Sequence, residues 1–215
     1  MQRLQWQRLR AGRLVIIGVD HEWTHAGIDV LGWSWDEGNR ATATDCTPAA
    51  LAQHVAVMRQ ADVIAMQNGI DADIPQLQKA GVDTSALLPK VYDTRLAFYC
   101  LNGHLAGTGS FDLRSIMLLL GSRQGYRWPL EHKQYATDLH KTCAMDAAAC
   151  CWAYPTLERQ IRSNKLQPTL DILHHCQPIF TAMEAQGVRL DRSVLEQIHH
   201  ARKAKTEQIV EKYHL

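Results

Sequence analysis

The run Leu14-Val15-Ile16-Ile17-Gly18-Val19 ends in Asp20-His21-Glu22, and no other stretch of the chain constrains its fold as much. An unbroken apolar segment ended by acids predicts a strand buried in the middle of a sheet. Side chains alternate along a strand, so Asp20 and Glu22 point to one face. Two further carboxylates stand in similar settings. Asp73 follows Asn68-Gly69 after a second apolar run, Val63-Ile64-Ala65-Met66, and Asp146 lies within Cys143-Ala144-Met145-Asp146-Ala147-Ala148-Ala149, which reads as helix. Singly, each acid has an ordinary explanation: Asp20 closes a strand, Asp73 caps the helix starting at Ile74, Asp146 is a solvated helix residue. Brought together, the four would repel one another unless divalent cations neutralise them. Two such ions, roughly 3.5–4 Å apart, are a known device for cutting phosphodiesters. Asp20, Glu22, Asp73 and Asp146 are therefore the expected ligands.

A chain of 215 residues with 46% apolar content predicts one α/β domain with a small appendage. No run approaches the roughly 18 apolar residues of a membrane span, and the N-terminus carries no signal-peptide pattern, so no membrane partner is expected. Met1 to Arg10 is short and basic, an arm or a remnant of where the chain was cut. A net charge of +1 excludes a protein that holds nucleic acid by bulk charge. An enzyme gripping a few terminal nucleotides does not need it. The six cysteines (46, 100, 143, 150, 151 and 176) form no C-x-x-C pair and no zinc spacing. Free thiols in a reducing cytoplasm are expected. The His174-His175 and His199-His200 pairs fall in polar helical stretches and read as surface residues.

Along the chain, Leu14 to Asp20, Ile28 to Trp35 and Arg40 to Thr44 predict a meander of three strands, with a turn at Asp36-Glu37-Gly38-Asn39. Thr47 caps a helix with Pro48 at its first position, running to about Gln60. Val63 to Met66 is a short buried strand, parallel to the first because a helix precedes it. Ile74 begins a short helix. Val91 to Leu101 and Leu113 to Leu120 read as helices separated by the Gly-rich turn 103–110, and 121–129 is irregular. A long helix runs from an N-cap at Asp138 to about Tyr154, before Pro155. From Leu166 an amphipathic helix with Pro178 runs to a stop at Gly187, and Asp191 or Ser193 caps the last, basic helix. Strands first and helices afterwards predict an α/β fold with a mixed sheet.

These motifs, in this order, resemble the 3′–5′ proofreading exonuclease domain of family A (DNA polymerase I-like) DNA polymerases, within the DnaQ-like exonucleases. Val19-Asp20-His21-Glu22-Trp23-Thr24 is similar to the first motif, a strand ending in D-x-E. Asn68-Gly69-Ile70-Asp71-Ala72-Asp73-Ile74-Pro75 resembles the second, N-x-x-x-F-D-I-P, with Ala72 at the Phe position. It puts Asp73 rather than Asp71 in the functional slot. Tyr92-Asp93-Thr94 resembles the D-T step that follows, and Thr142-Cys143-Ala144-Met145-Asp146 the third motif, Y-x-x-x-D. Met183-Glu184-Ala185-Gln186-Gly187-Val188 looks like the lead-in to a polymerase domain.

The resemblance implies a ribonuclease H-like mixed sheet, antiparallel meander plus parallel strands, flanked by helices. It implies an exonuclease domain over residues 12–162 and a helical extension over 163–215. It implies two Mg²⁺ or Mn²⁺ ions, with Asp20 shared, Glu22 and Asp146 completing one site and Asp73 serving the other. The substrate would be the 3′ end of single-stranded or frayed DNA, in a bacterial or phage-infected cell, with a polymerase domain attached or associated. Polymerisation by this chain is not expected. Trp23, Thr24 and Asn68 would meet the terminal nucleotide; for Trp23, stacking on a base and core packing both remain open. Arg95 and Arg114 would touch phosphates or be surface helix charges, and Asp93 would support a ligand or cap a helix.

One departure matters. The third motif carries Tyr four residues before the Asp, or His five before it in a sister class; Thr142 and Lys141 stand there. His140 falls away from the Asp146 face, and Tyr135 precedes the helix. Such a water-orienting group is worth roughly 10²–10⁴-fold. Thr142 is too short and too weakly basic to replace it fully, so a slowed enzyme or an impaired nucleic-acid-binding scaffold are both implied.

Overall fold

The apolar run forms the middle of a sheet built from β1 (Ile16–Thr24), β2 (Gly27–Trp35), β3 (Arg40–Asp45), β4 (Val63–Met66) and β5 (Val91–Asp93). The computed structural model describes residues 14–105, 111–121, 138–187 and 191–213. The N-terminal basic stretch, most of the Gly-rich turn, the irregular stretch after Gly121, Tyr135 and Val188 lie outside the described residues. Strand order is β3-β2-β1-β4-β5. The first three strands pair antiparallel, while β4 joins β1 in parallel, Ile16 opposite Val63, and β5 joins β4, Met66 opposite Asp93. This is the mixed α/β arrangement expected, consistent with a ribonuclease H-like sheet.

Strand alternation sorts the core into two clusters. Ile17, Val19 and Ile64 pack with Met58 of α1 (Pro48–Gln60) and with Ile74 and Leu77 of α2 (Asp73–Lys79). The other cluster draws on α3 (Thr94–Asn102), α4 (Leu113–Leu119) and α5 (Leu139–Ser163), through Phe98, Met117, Cys150, Leu157 and Ile161. Thr47 caps α1 as expected, its Oγ1 accepting from the Ala50 N–H at 3.1 Å.

Three expectations need correction. Val91 to Leu101 is not one helix: Val91-Tyr92-Asp93 pairs with β4, and α3 starts at Thr94. A three-residue strand running straight into a helix leaves no period of its own to detect. The long helix does not stop at Pro155; α5 continues to Ser163. Pro155 is exposed while Ala153, Leu157 and Ile161 continue the buried stripe. Burying Leu157 and Ile161, at about 1.5–3 kcal/mol each, offsets the ~3 kcal/mol of an internal proline. Nor is His174 a surface residue: its ring packs against Tyr92, and its Nε2 accepts the Asp93 N–H at 3.3 Å. Burial holds this imidazole down at about 4.

His174 lies on α6 (Gln167–Gln186), whose Leu170 is fully buried in the second cluster. Contacts divide the chain into two units, Met1–Pro178 and Ile179–Leu215. The second holds the end of α6 and α7 (Arg192–Tyr213). Gly187, at φ +69°, closes α6 by donating to the Met183 carbonyl, and Asp191 caps α7 by accepting from Ser193 and Val194. All six cysteines are free. Among the described residues no helix is long and apolar enough to cross a membrane.

Candidate metal centre

The helix that carries Asp146 lies unusually close to the sheet. A Cβ added to Gly18 would sit 1.9 Å from the Ala147 carbonyl oxygen, and one at Gly32 would sit 2.7 Å from that of Cys143. Only glycine permits this approach. Cys143, Ala147 and Cys151 recur every fourth residue, so one small-residue face of α5 seats on β1 and β2. Cys143 Sγ donates to the Asp20 carbonyl at 3.2 Å, fixing the register of helix and strand beside the acids. The small, apolar flanks of Asp146 are thereby explained: they let the helix backbone come close enough to bring this acid to Asp20 and Glu22.

One carboxylate oxygen from each of Asp20, Glu22 and Asp146 lies within 4.8 Å of the others, and this trio could hold a metal ion. The cavity they share, about 540 Å³, is lined by Asp20, His21, Glu22, Trp23, Gln67, Asn68, Ala72, Asp73 and Asp146. No Lys or Arg is among these residues. The carboxylates consequently feel one another. Burial, then the charges of Asp73, Asp146 and Glu22, push the Asp20 carboxyl well above the ordinary range. Burial and Asp73 raise Glu22. Asp146 is pushed up to about 8 by burial, then by Glu22 and Asp73. Among the described residues its buried Oδ1 has no hydrogen-bond partner.

Asp73 belongs to this charge cluster but comes to it from the other face of the sheet. It opens α2, and no side-chain hydrogen bond caps that helix. The turn before it is clamped by Asp93, whose carboxylate accepts the N–H groups of Asn68, Ile70, Arg95 and Leu96 at 2.9–3.4 Å. Asp93 is therefore a helix cap that also pins the Asn68-Gly69 turn. Burial raises its carboxyl to about 6 against the pull of those four donors. Thr94 Oγ1 ties the same helix start to the Met66 carbonyl at 3.1 Å.

The partner of Asp73 is a residue that the sequence reading passed over. His21, the middle residue of Asp20-His21-Glu22, faces the opposite way from its neighbours and is 2% exposed. Its Nδ1 stands 3.0 Å from Asp73 Oδ1. Its Nε2 stands 3.0 Å from Nε2 of His54 on α1. His54 is fully buried beside Trp33, and burial, then His21, holds its basicity well below the usual range. The signal was present. Alternation places His21 with Ile17 and Val19, and His54 falls on the Leu51, Val55, Met58 stripe, and a histidine on a core-facing position needs a partner.

The remaining site residues divide. Trp23 is 39% exposed and lines the acid cavity, so it is not a core residue. It also lines a neighbouring cavity of about 600 Å³ with Thr24, His25, Gln76 and Lys79. Thr24 is not in the acid cavity; its Oγ1 accepts the Ala26 N–H in the hairpin turn. Asn68 lines the acid cavity, with its Oδ1 accepting from Arg95 Nη1 at 2.9 Å. Arg114 is exposed on α4. Thr142 is buried on α5, outside the acid cavity's lining. Lys141 pairs with Asp138 at 3.1 Å, and His140 turns away to Asp45 at 2.9 Å.

Comparison with protein-family models, with curated proteins and with solved structures found no match. The chemistry of the site therefore rests on its own geometry. An all-oxygen donor set, an orphaned buried carboxylate oxygen and, among the described residues, a cavity lining without Lys or Arg fit a metal ion.

Proposed function

We propose that the chain is a metal-dependent 3′–5′ exonuclease that hydrolyses the terminal phosphodiester of single-stranded or frayed DNA. The observation that carries this reading is the convergence of Asp20, Glu22 and Asp146 within 4.8 Å in an open cavity that Asp73 also lines. Asp20, Glu22 and Asp146 would hold one ion and Asp73 would serve a second. When bound, such ions supply an activated water and neutralise charge on the phosphoryl and leaving oxygens. The residues of the chain do the rest. Glu22 and Asp146 orient that centre from strand and helix, Trp23 offers an exposed indole on which a terminal base can stack, and Asn68, held by Arg95, offers its amide to the sugar–phosphate. Stacking of this kind is worth ~1–3 kcal/mol per base.

A second reading has a specific observation in its favour. With Thr142 buried outside the cavity, and Lys141 and His140 engaged elsewhere, no described side chain on α5 replaces the Tyr or His of the resembled motif. On that reading the chain binds strand ends and cleaves them poorly, as a scaffold beside a polymerase. A 5′-labelled single strand incubated with Mg²⁺ or Mn²⁺, and then with chelator, separates the two. Stepwise shortening that chelator abolishes supports the exonuclease. Retention of the intact strand on the protein without shortening supports the scaffold.

A further inference from the structure

We infer that the buried His21–His54 pair is a strut that fixes Asp73 for the second divalent ion, so that the two ion sites are set by opposite faces of β1. The inference rests on the metal reading above and deepens it.

The geometry is that of three elements locked through side chains. His21 projects from β1, His54 from α1 and Asp73 from the start of α2, and the chain His54 Nε2, His21 Nε2, His21 Nδ1, Asp73 Oδ1 advances in two contacts of 3.0 Å. None of the three is more than 2% exposed. Leucine or methionine would fill the same volume among Val19, Met58 and Ile74 without the penalty of burying imidazole nitrogens, so packing alone does not explain them. Among the described residues His54 Nδ1 has no hydrogen-bond partner, and the polar contact its ring makes is with His21. Between two facing Nε2 atoms one must donate and the other accept, so the tautomer of His54 sets that of His21 and hence what His21 presents to Asp73.

Asp73 needs this support because, among the described residues, its Oδ1 has no polar contact other than His21 Nδ1. It caps no helix, and its Oδ1 is buried without a hydrogen-bond partner although it lines the acid cavity. It also lies outside the trio whose oxygens fall within 4.8 Å of one another. A carboxylate that is held at a distance from three others, and that raises all three, is placed for a separate ion. Groups that orient a ligand from behind typically contribute 10–100-fold to metal affinity.

The test is calorimetric titration of the whole protein with Mn²⁺, for wild type, His54→Leu, His54→Gln and His21→Gln, with thermal unfolding as the control for folding. Wild type should bind two ions. His54→Leu and His21→Gln should weaken one of them about 10–100-fold and leave the other within about twofold, and His54→Gln, which keeps a polar amide, should recover part of the loss. A purely structural role would weaken both ions together; that result, or two unchanged ions in every folded variant, overturns the inference. Should His54→Leu fail to fold, the glutamine variants carry the same comparison. Wild type binding no Mn²⁺ sinks the metal reading itself, whereas two ions in wild type and in all variants sinks only the strut.

Discussion

The two faces of β1 are built by opposite rules. Toward α5 the strand offers Gly18, and a helix of small residues presses onto it, so the acids meet because backbones are close. Toward α1 and α2 it offers Ile17, Val19 and His21, and large side chains keep the helices at ordinary distance. There a carboxylate can approach only if a side chain reaches for it, and His21 does. One strand thus positions carboxylates by proximity on one side and by a polar side-chain contact on the other. The lesson is that a D-x-E pattern carries information in its middle residue as well as in its ends.

Removing one acid from each face should separate the two most strongly. Asp146→Asn should lower Mn²⁺-dependent shortening of a single strand about 10²–10³-fold and abolish binding of the ion held by the trio. Asp73→Asn should remove only the second ion in the same titration. Equal loss of both ions in the two variants would erase the distinction between the faces. Thr142→Tyr should raise the cleavage rate about tenfold or more, measured on the same labelled strand; an unchanged rate would mean that the missing side chain is not what limits catalysis.

The acids also make a prediction about pH. Without divalent ions Asp146 is raised from 3.8 to about 8, and Asp20 and Glu22 move in the same direction. At these acids the folded state then binds more protons than the unfolded chain, so their contribution to stability is lost as pH rises toward 8. His54 and His174, whose basicity burial lowers, act in the opposite direction below 6.5, so the acids are read by difference. Urea unfolding at pH 5 and pH 8 in chelator should show wild type losing more stability, or gaining less, than Asp146→Asn, and saturating Mg²⁺ should remove that deficit. An Asp146→Asn variant with the same pH dependence as wild type contradicts the electrostatics of the site. The smallest effects compare packing on the two faces. Gly18→Ala should cost about 1–3 kcal/mol or more by overpacking, whereas Ile74→Val should cost ~0.5–1.5 kcal/mol, both by urea unfolding.

Much of this architecture was legible in the chain. The strands of the meander, the Thr47 cap, the parallel Val63–Met66 strand and the Asp191 cap each follow from a local rule that tertiary contacts do not override. The acid trio was legible because alternation fixes Asp20 and Glu22 together and because small residues around Asp146 have few other uses. What escaped depended on three-dimensional partners. The strand Val91–Asp93 exists only because β4 lies beside it, and α5 survives Pro155 only because Leu157 and Ile161 have a core to enter. His21 and His54 are 33 residues apart, and nothing local in either says that their nitrogens meet.

If this acid cluster holds divalent ions, crystals soaked in Mn²⁺ will show an anomalous peak at Asp20, Glu22 and Asp146, with a weaker one nearer Asp73 that disappears in Asp73→Asn. A cavity without any anomalous peak at millimolar Mn²⁺, while the four carboxylates keep their places, would contradict the metal reading.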